Sequence, residues 1–162
     1  MSEYPFDHVV ITFPDDAAAA AALSGPLKPL QKRYDSKFTA TADPLGARVG
    51  SGGGTAACLI DHCKETETVL VLHAGGAASR APTQMCLGKA WTSLPTIKNG
   101  LTTPLELWLE LCGVLFRNIP RQACVVIASG TLLYLPDWKP IDLELHDSNT
   151  VVALAVPAPL DT

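Results

Sequence analysis

Apolar residues in this chain fall into short, dense runs separated by polar, glycine-rich or proline-rich breaks. His8-Val9-Val10-Ile11-Thr12-Phe13 is a β-branched block with little polar alternation, the pattern of a strand buried on both faces. Residues 38–42, 68–73, 124–128 and 150–156 read the same way, and 68–73 is the clearest of them. Between these runs the period lengthens. An alanine-rich stretch from about 15 to 23 reads as a helix, with Asp15 or Asp16 able to cap it and Ser24-Gly25-Pro26 to stop it. A second helical piece covers 27–33. Residues 56–64 place Ala56, Leu59, Ile60 and Cys63 on one helical face. Thr103-Pro104-Leu105-Glu106 is a helix start, with threonine at the cap, proline at the first position and glutamate reaching back. Leu105, Trp108, Leu109, Cys112 and Phe116 then share a face, and Pro120 ends the region.

Strands alternating with helices predict an α/β fold with a mostly parallel sheet. Ligands of such sheets sit beyond the carboxyl ends of the strands. Three segments should converge there: 50–55, 73–80 and 129–131. Residues 46–55 carry too many glycines for a regular element, and 77–98 form a long irregular stretch. There is no internal repeat. Because the chain stops soon after its last strand, residues 1–162 read as the front part of a longer domain.

Composition narrows the function classes. The 162 residues suffice for one domain with a core, and 48% hydrophobic with 17% charged residues describes a globular protein. A net charge of −4 argues against a broad nucleic-acid face. No apolar run reaches the length of a membrane span, and the first five residues lack the features of a signal peptide. A cytoplasmic protein without a nucleic-acid or membrane partner is expected. The five cysteines are odd in number and mostly in apolar surroundings, as suits reduced thiols. Cys58, His62 and Cys63 lack the spacing and the second pair of a zinc site.

The candidate chemistry lies in the breaks. In Arg48-Val49-Gly50-Ser51-Gly52-Gly53-Gly54-Thr55, glycines let backbone N–H groups approach phosphate oxygens, and the helix behind adds the positive end of its dipole. A dinucleotide fingerprint would need a third glycine where Thr55 stands. A Walker loop fails at Gly88-Lys89-Ala90, where Ala90 supplies no hydroxyl for magnesium. The ATP loop of small-molecule kinases matches 50–57 in part. A second segment runs His73-Ala74-Gly75-Gly76-Ala77-Ala78-Ser79-Arg80-Ala81-Pro82 and is followed by Gly88-Lys89-Ala90-Trp91-Thr92-Ser93-Leu94-Pro95. Arg80 could clamp phosphate oxygens through two N–H groups, and Lys89 could place a point charge on them.

These segments, together with Asp43-Pro44-x-Gly46-x-Arg48, resemble the fucose-1-phosphate guanylyltransferases, including the bifunctional fucokinase/GDP-fucose pyrophosphorylases. The resemblance runs from about His8 to Val156. It implies a three-layer sandwich of the nucleotide-diphospho-sugar transferase type, GT-A or Rossmann-like. It also implies attack of a sugar 1-phosphate, L-fucose 1-phosphate foremost, on the α-phosphorus of GTP with loss of pyrophosphate. A sugar-kinase domain further along the same polypeptide is a possible partner. Gly50, Gly52, Gly53, Gly75 and Gly76 would then face the nucleotide, with Arg48, Ser51 and Gly54 beside them. Arg80 and Lys89 would be the catalytic residues, stabilising the phosphates and the leaving pyrophosphate. Thr55 could cap the helix and bond a phosphate. Magnesium is implied as the cofactor, but Thr131 stands where the family's acid is expected, leaving Asp137 as the candidate ligand. His73 reads as a hydrogen-bonded structural histidine at the pocket rim. Trp91 and Trp108 read as packing residues, with Trp91 alternatively lining the nucleotide site. Two other readings stay open: a nucleotide-binding module without activity, and a sugar kinase using 50–57 for ATP.

Overall fold

The computed structural model describes residues 4–47, 49–74, 88, 90–96, 100–127 and 140. In these residues β1 (His8–Phe13) leads to α1 (Asp16–Ser24), α2 (Leu27–Tyr34) and β2 (Lys37–Ala42). A 3-10 turn (Pro44–Gly46), α3 (Gly50–His62) and β3 (Val69–His73) follow. A two-stranded hairpin, β4 (Leu94–Thr96) and β5 (Gly100–Thr102), precedes α4 (Pro104–Leu115) and β6 (Cys124–Ile127). No described helix is long and apolar enough to cross a membrane.

Four strands form one sheet in the order β2-β1-β3-β6, and every neighbouring pair is parallel. Strand alternation decides what lies on each face. Val9, Ile11, Phe13, Phe38, Leu70 and Leu72 face a core built with α1, α2 and α4. Val10, Val69 and Val71 face the opposite way and pack on Cys58 of α3. Helices thus cover both faces of a parallel sheet, as the uninterrupted apolar strands require. Leu109 and Cys112 of α4 and Leu27 of α2 are fully buried in the larger core. Fully burying a leucine side chain contributes about 1.5–3 kcal/mol.

Two of the helix starts use the expected caps. The Asp15 carboxylate accepts the Ala18 N–H at 2.8 Å. Thr103 and Glu106 form a complete capping box, each side chain accepting the other's backbone N–H. Helix α3 departs from expectation. It begins at Gly50 rather than near residue 56, so the glycines supposed too numerous for a regular element make up its first turn. Its buried positions are Gly54 and Cys58, while Ile60 is 81% exposed. The apolar face expected for 56–64 is therefore rotated. The close approach of Gly54 to the sheet sets the helix's angle, and Ile60 falls on the outer side. The hairpin β4–β5 occupies part of what seemed irregular chain. It is too short for a period to show. The expected strand over 150–156 lies outside the described residues.

Candidate functional site

The sheet has a switch point at its carboxyl edge. From β1 the chain crosses to β2 on one side, and β3 returns to the other side of β1. In open parallel sheets this reversal opens a crevice beyond the strand ends. Thr12 of β1 and His73 of β3 are register partners there. The first turn of α3 arrives over the same edge, because Gly54 lets the helix backbone sit directly against it. A Cβ added at Gly54 would lie 3.3 Å from His73 Cε1 and 3.5 Å from Asp43 Oδ1.

The four glycines of this turn do different work. Gly50 has φ +71, a left-handed conformation that side chains resist, and it turns the chain into the helix. Gly52 meets nothing within 4 Å on the side where a Cβ would stand. Gly53 is solvent-exposed, but an added Cβ would come within 2.8 Å of the Val49 Cβ. Gly54 is buried and packs inward. Gly50, Ser51, Gly52 and Gly53 thus form the outward surface of the turn. Among the described residues, no side chain caps the start of α3. Its first-turn N–H groups carry the positive end of the helix dipole without an internal acceptor from a capping residue.

His73 joins this turn to the strands. Its Nε2 lies 2.8 Å from Thr55 Oγ1, and its Nδ1 lies 3.1 Å from Thr12 Oγ1. The Thr55 hydroxyl donates to the Ser51 carbonyl at 2.8 Å. It has one proton to give, so it accepts from His73, which places a proton on Nε2. In the neutral ring Nδ1 then accepts from the Thr12 hydroxyl. Burial lowers the His73 pKa below its ordinary value, against the opposing pull of the Asp43 carboxylate, and so favours this neutral form. The hydrogen-bonded structural histidine read from the sequence is what stands here. Thr55, expected as a cap and phosphate ligand, stands inside the helix with its hydroxyl engaged on both sides.

Asp43 is the residue that sequence reading passed over. It was noticed only as part of a motif, yet its carboxylate reaches the same turn from the end of β2. No hydrogen bond or ion pair engages that carboxylate among the described residues. No periodicity marks it, because it lies where strand gives way to turn. On the α4 side of the edge, Leu72, His73, Ala74, Ala90, Trp108 and Ile127 line a small open depression. Trp108 is buried, as expected of a packing residue, but its Nε1–H has no hydrogen-bond partner among the described residues. Trp91 stacks on Phe13, with centroids 6.3 Å apart and planes 11° from parallel. The Ala90 carbonyl accepts the Leu105 N–H at 3.2 Å and ties this turn to the start of α4.

Gly50, Ser51, Gly52, Gly53, Gly54, Thr55 and His73 are therefore gathered at one edge. Arg48, Gly75, Gly76, Arg80, Lys89, Thr131 and Asp137 lie outside the described residues. Among the described residues, no three His, Cys, Asp or Glu side chains gather in a way that could hold a metal ion. Cys58, Cys63, Cys112 and Cys124 are free thiols.

Residues 63–162 match the model of the fucose pyrophosphorylase domain. The chain belongs to the fucose pyrophosphorylase family. It is 32% identical over 152 residues to the fucose-1-phosphate guanylyltransferase of Homo sapiens, an alignment covering 87% of this chain and 23% of the relative. The enzyme of the same name from Mus musculus is 30% identical over 150 residues, with the same coverage. The L-fucokinase/L-fucose-1-P guanylyltransferase of Bacteroides fragilis is 30% identical over 134 residues, covering 69% of this chain and 14% of that protein. The chain thus spans 23% of the length of the two single-named relatives. No solved structure matches it. The family segment includes His73 and Trp108, and the glycine turn precedes it.

Proposed function

We propose that this chain forms the front part of a nucleotidyltransferase domain that joins GTP to a sugar 1-phosphate, L-fucose 1-phosphate, giving a GDP-sugar and pyrophosphate. The family match over residues 63–162 carries the reading, and the relatives' names supply the guanylyl donor and the sugar phosphate. The parallel sheet with its switch point supports assignment to the nucleotide-diphospho-sugar transferase fold. The bifunctional relative suggests a fucokinase domain elsewhere in the full-length protein.

In this reaction a phosphate oxygen of the sugar 1-phosphate attacks the α-phosphorus, and the bond to the β-phosphate oxygen breaks. Pyrophosphate leaves with the electron pair. The attacking oxygen is already ionised, so no general base is required, and catalysis is positioning and charge neutralisation. The outward surface of the glycine turn, Gly50 to Gly53, offers N–H donors to the nucleotide. Arg48, Gly75 and Gly76 are the further nucleotide-binding residues in this reading. Arg80 and Lys89 neutralise the phosphates. Magnesium, if bound, supplies further charge on the phosphates. Its candidate ligand Asp137 and the neutral Thr131 lie outside the described residues.

The test is pyrophosphate release by the intact protein. It is expected with GTP and L-fucose 1-phosphate together, to be far weaker with ATP, and to be absent without the sugar phosphate. Arg80→Ala and Lys89→Ala should each depress it. Sugar-dependent ADP release without pyrophosphate would overturn the reading in favour of a kinase.

A further inference from the structure

Among the described residues, His73 makes the one side-chain connection that runs from the glycine turn through β3 to β1. Thr55 lies in the second turn of α3, directly behind Gly50 to Gly54, and its hydroxyl is held by Ser51 on one side and His73 on the other. Thr12 holds the far nitrogen of the ring at the end of β1. Gly54 lies close enough to the same ring that an added Cβ would come 3.3 Å from its Cε1. Among the described residues, the apolar part of the α3 interface is built from Val10, Cys58, Val69 and Val71 with Leu59 and Cys63 against them, and at the far end of the helix His62 bonds Thr41 of β2. Most of those contacts lie further along the helix, at or beyond Cys58. The first turn is therefore held to the strand ends by a polar link and a glycine contact rather than by apolar packing.

We infer that His73 is a positioning residue: through its Nε2–H bond to Thr55 it fixes the first turn of α3 over the carboxyl edge of the sheet, in the place where the nucleotide is bound. This rests on the nucleotidyltransferase reading and assigns within it a role to a residue that touches no substrate. The two ring nitrogens do different jobs. The Nε2 arm orients the glycine turn, and the Nδ1 arm anchors the ring to β1. The two conservative amide replacements separate them. Glutamine can put its N–H near the Nε2 position and keep the bond to Thr55. Asparagine can put its amide near the Nδ1 position and keep only the bond to Thr12.

The experiment compares His73→Gln, His73→Asn and Thr55→Val in the intact protein, with two readouts. The first is the KM for GTP at saturating sugar 1-phosphate. His73→Asn and Thr55→Val should raise it roughly tenfold, the cost of one hydrogen bond of about 1–1.5 kcal/mol at about 1.4 kcal/mol per tenfold. His73→Gln should stay within roughly threefold of wild type, whatever its thermal stability. The double variant His73→Asn/Thr55→Val should be no worse than either single one, because both remove the same bond. The second readout is amide hydrogen exchange without nucleotide over residues 53–58, the first amides of α3 that have a carbonyl four residues back to bond. Exchange should quicken in His73→Asn and Thr55→Val and remain slow in His73→Gln. Equal effects of glutamine and asparagine on KM and exchange would overturn the positioning role and leave the nucleotidyltransferase reading standing. If wild type turns over no GTP, the nucleotidyltransferase reading fails, and the exchange comparison still decides whether His73 holds the turn.

Discussion

Replacing Gly52 by alanine should stabilise the fold and weaken the proposed nucleotide site, two effects of opposite sign from one methyl group. Gly52 lies in the first turn of α3, its φ is not positive, and an added Cβ meets nothing within 4 Å. Alanine there gains helix propensity and restricts the unfolded chain, together about 0.5–1 kcal/mol. In a domain of this size 1 kcal/mol moves the melting temperature by about 2–4 °C, so a rise of about 1–4 °C is expected. The same methyl projects from the outward surface offered to the nucleotide. Losing the close approach of one N–H to a phosphate oxygen removes a charge-assisted bond of about 1.5–3 kcal/mol, roughly a tenfold or greater rise in the KM for GTP. Two neighbours calibrate the result. Gly50→Ala should lower stability by about 1–2 kcal/mol, because Gly50 has φ +71. Gly53→Ala should lower it by about 1–3 kcal/mol, because the new Cβ would stand 2.8 Å from that of Val49. Calorimetry and initial-rate kinetics on the three variants decide the matter. A Gly52→Ala protein that melts higher and handles GTP as wild type does would refute the placement of the nucleotide on this surface.

Three further predictions concern the fold. Ile60→Lys should change stability by no more than about 0.5 kcal/mol in urea unfolding, because Ile60 is 81% exposed; a loss above 2 kcal/mol would mean that it faces a core. Thr103→Ala should cost about 0.5–2 kcal/mol through loss of the α4 capping box, with Thr103→Ser recovering most of it. Acid should weaken the fold from about pH 6.5 downwards, since burial holds both His8 and His73 below their ordinary 6.5. The unfolded chain then takes up protons before the folded one does, so this stability is complete above about pH 6.5 and is lost as pH falls. Glu67 is held below its ordinary 4.5, since the Lys64 amide and His8 outweigh its burial, and it adds its own loss only below that pH. Between pH 7.5 and 5.5 the urea midpoint of His8→Gln should fall less than that of wild type, and a wild type more stable at pH 5.5 would contradict the assignment.

Much of the sheet was legible in the sequence because its strands are buried on both faces and therefore appear as unbroken apolar runs. His8–Phe13 matched residue for residue, and the other three strands of the four-stranded sheet matched to within a residue among the described positions. The helices with polar caps were equally plain, since Asp15 and Thr103 announce their starts chemically. Helix α3 was obscured because its signals conflict. Glycine is a poor helix former, and here it is used for a left-handed entry at Gly50 and a close approach to the sheet at Gly54. Tertiary packing overrode local propensity, and Ile60 followed the rotated face outward. Of the three segments expected at one sheet edge, residues 50–55 and His73 do meet there, a consequence of parallel topology, while 75–80 and 129–131 lie outside the described residues. The bonds within the site were not legible. That Thr55 and Thr12 both meet His73 depends on which residues come together across 18 and 61 positions of chain.

The central claim is guanylyl transfer to a sugar 1-phosphate, and isotopic labelling tests it most directly. The intact protein, supplied with magnesium and L-fucose 1-phosphate, would be given GTP labelled at either the α- or the γ-phosphorus. The account predicts that the α label passes to a GDP-sugar and the γ label to pyrophosphate, with neither transfer occurring when the sugar phosphate is omitted. A γ label found on a sugar, or an α label that never joins one, would contradict it.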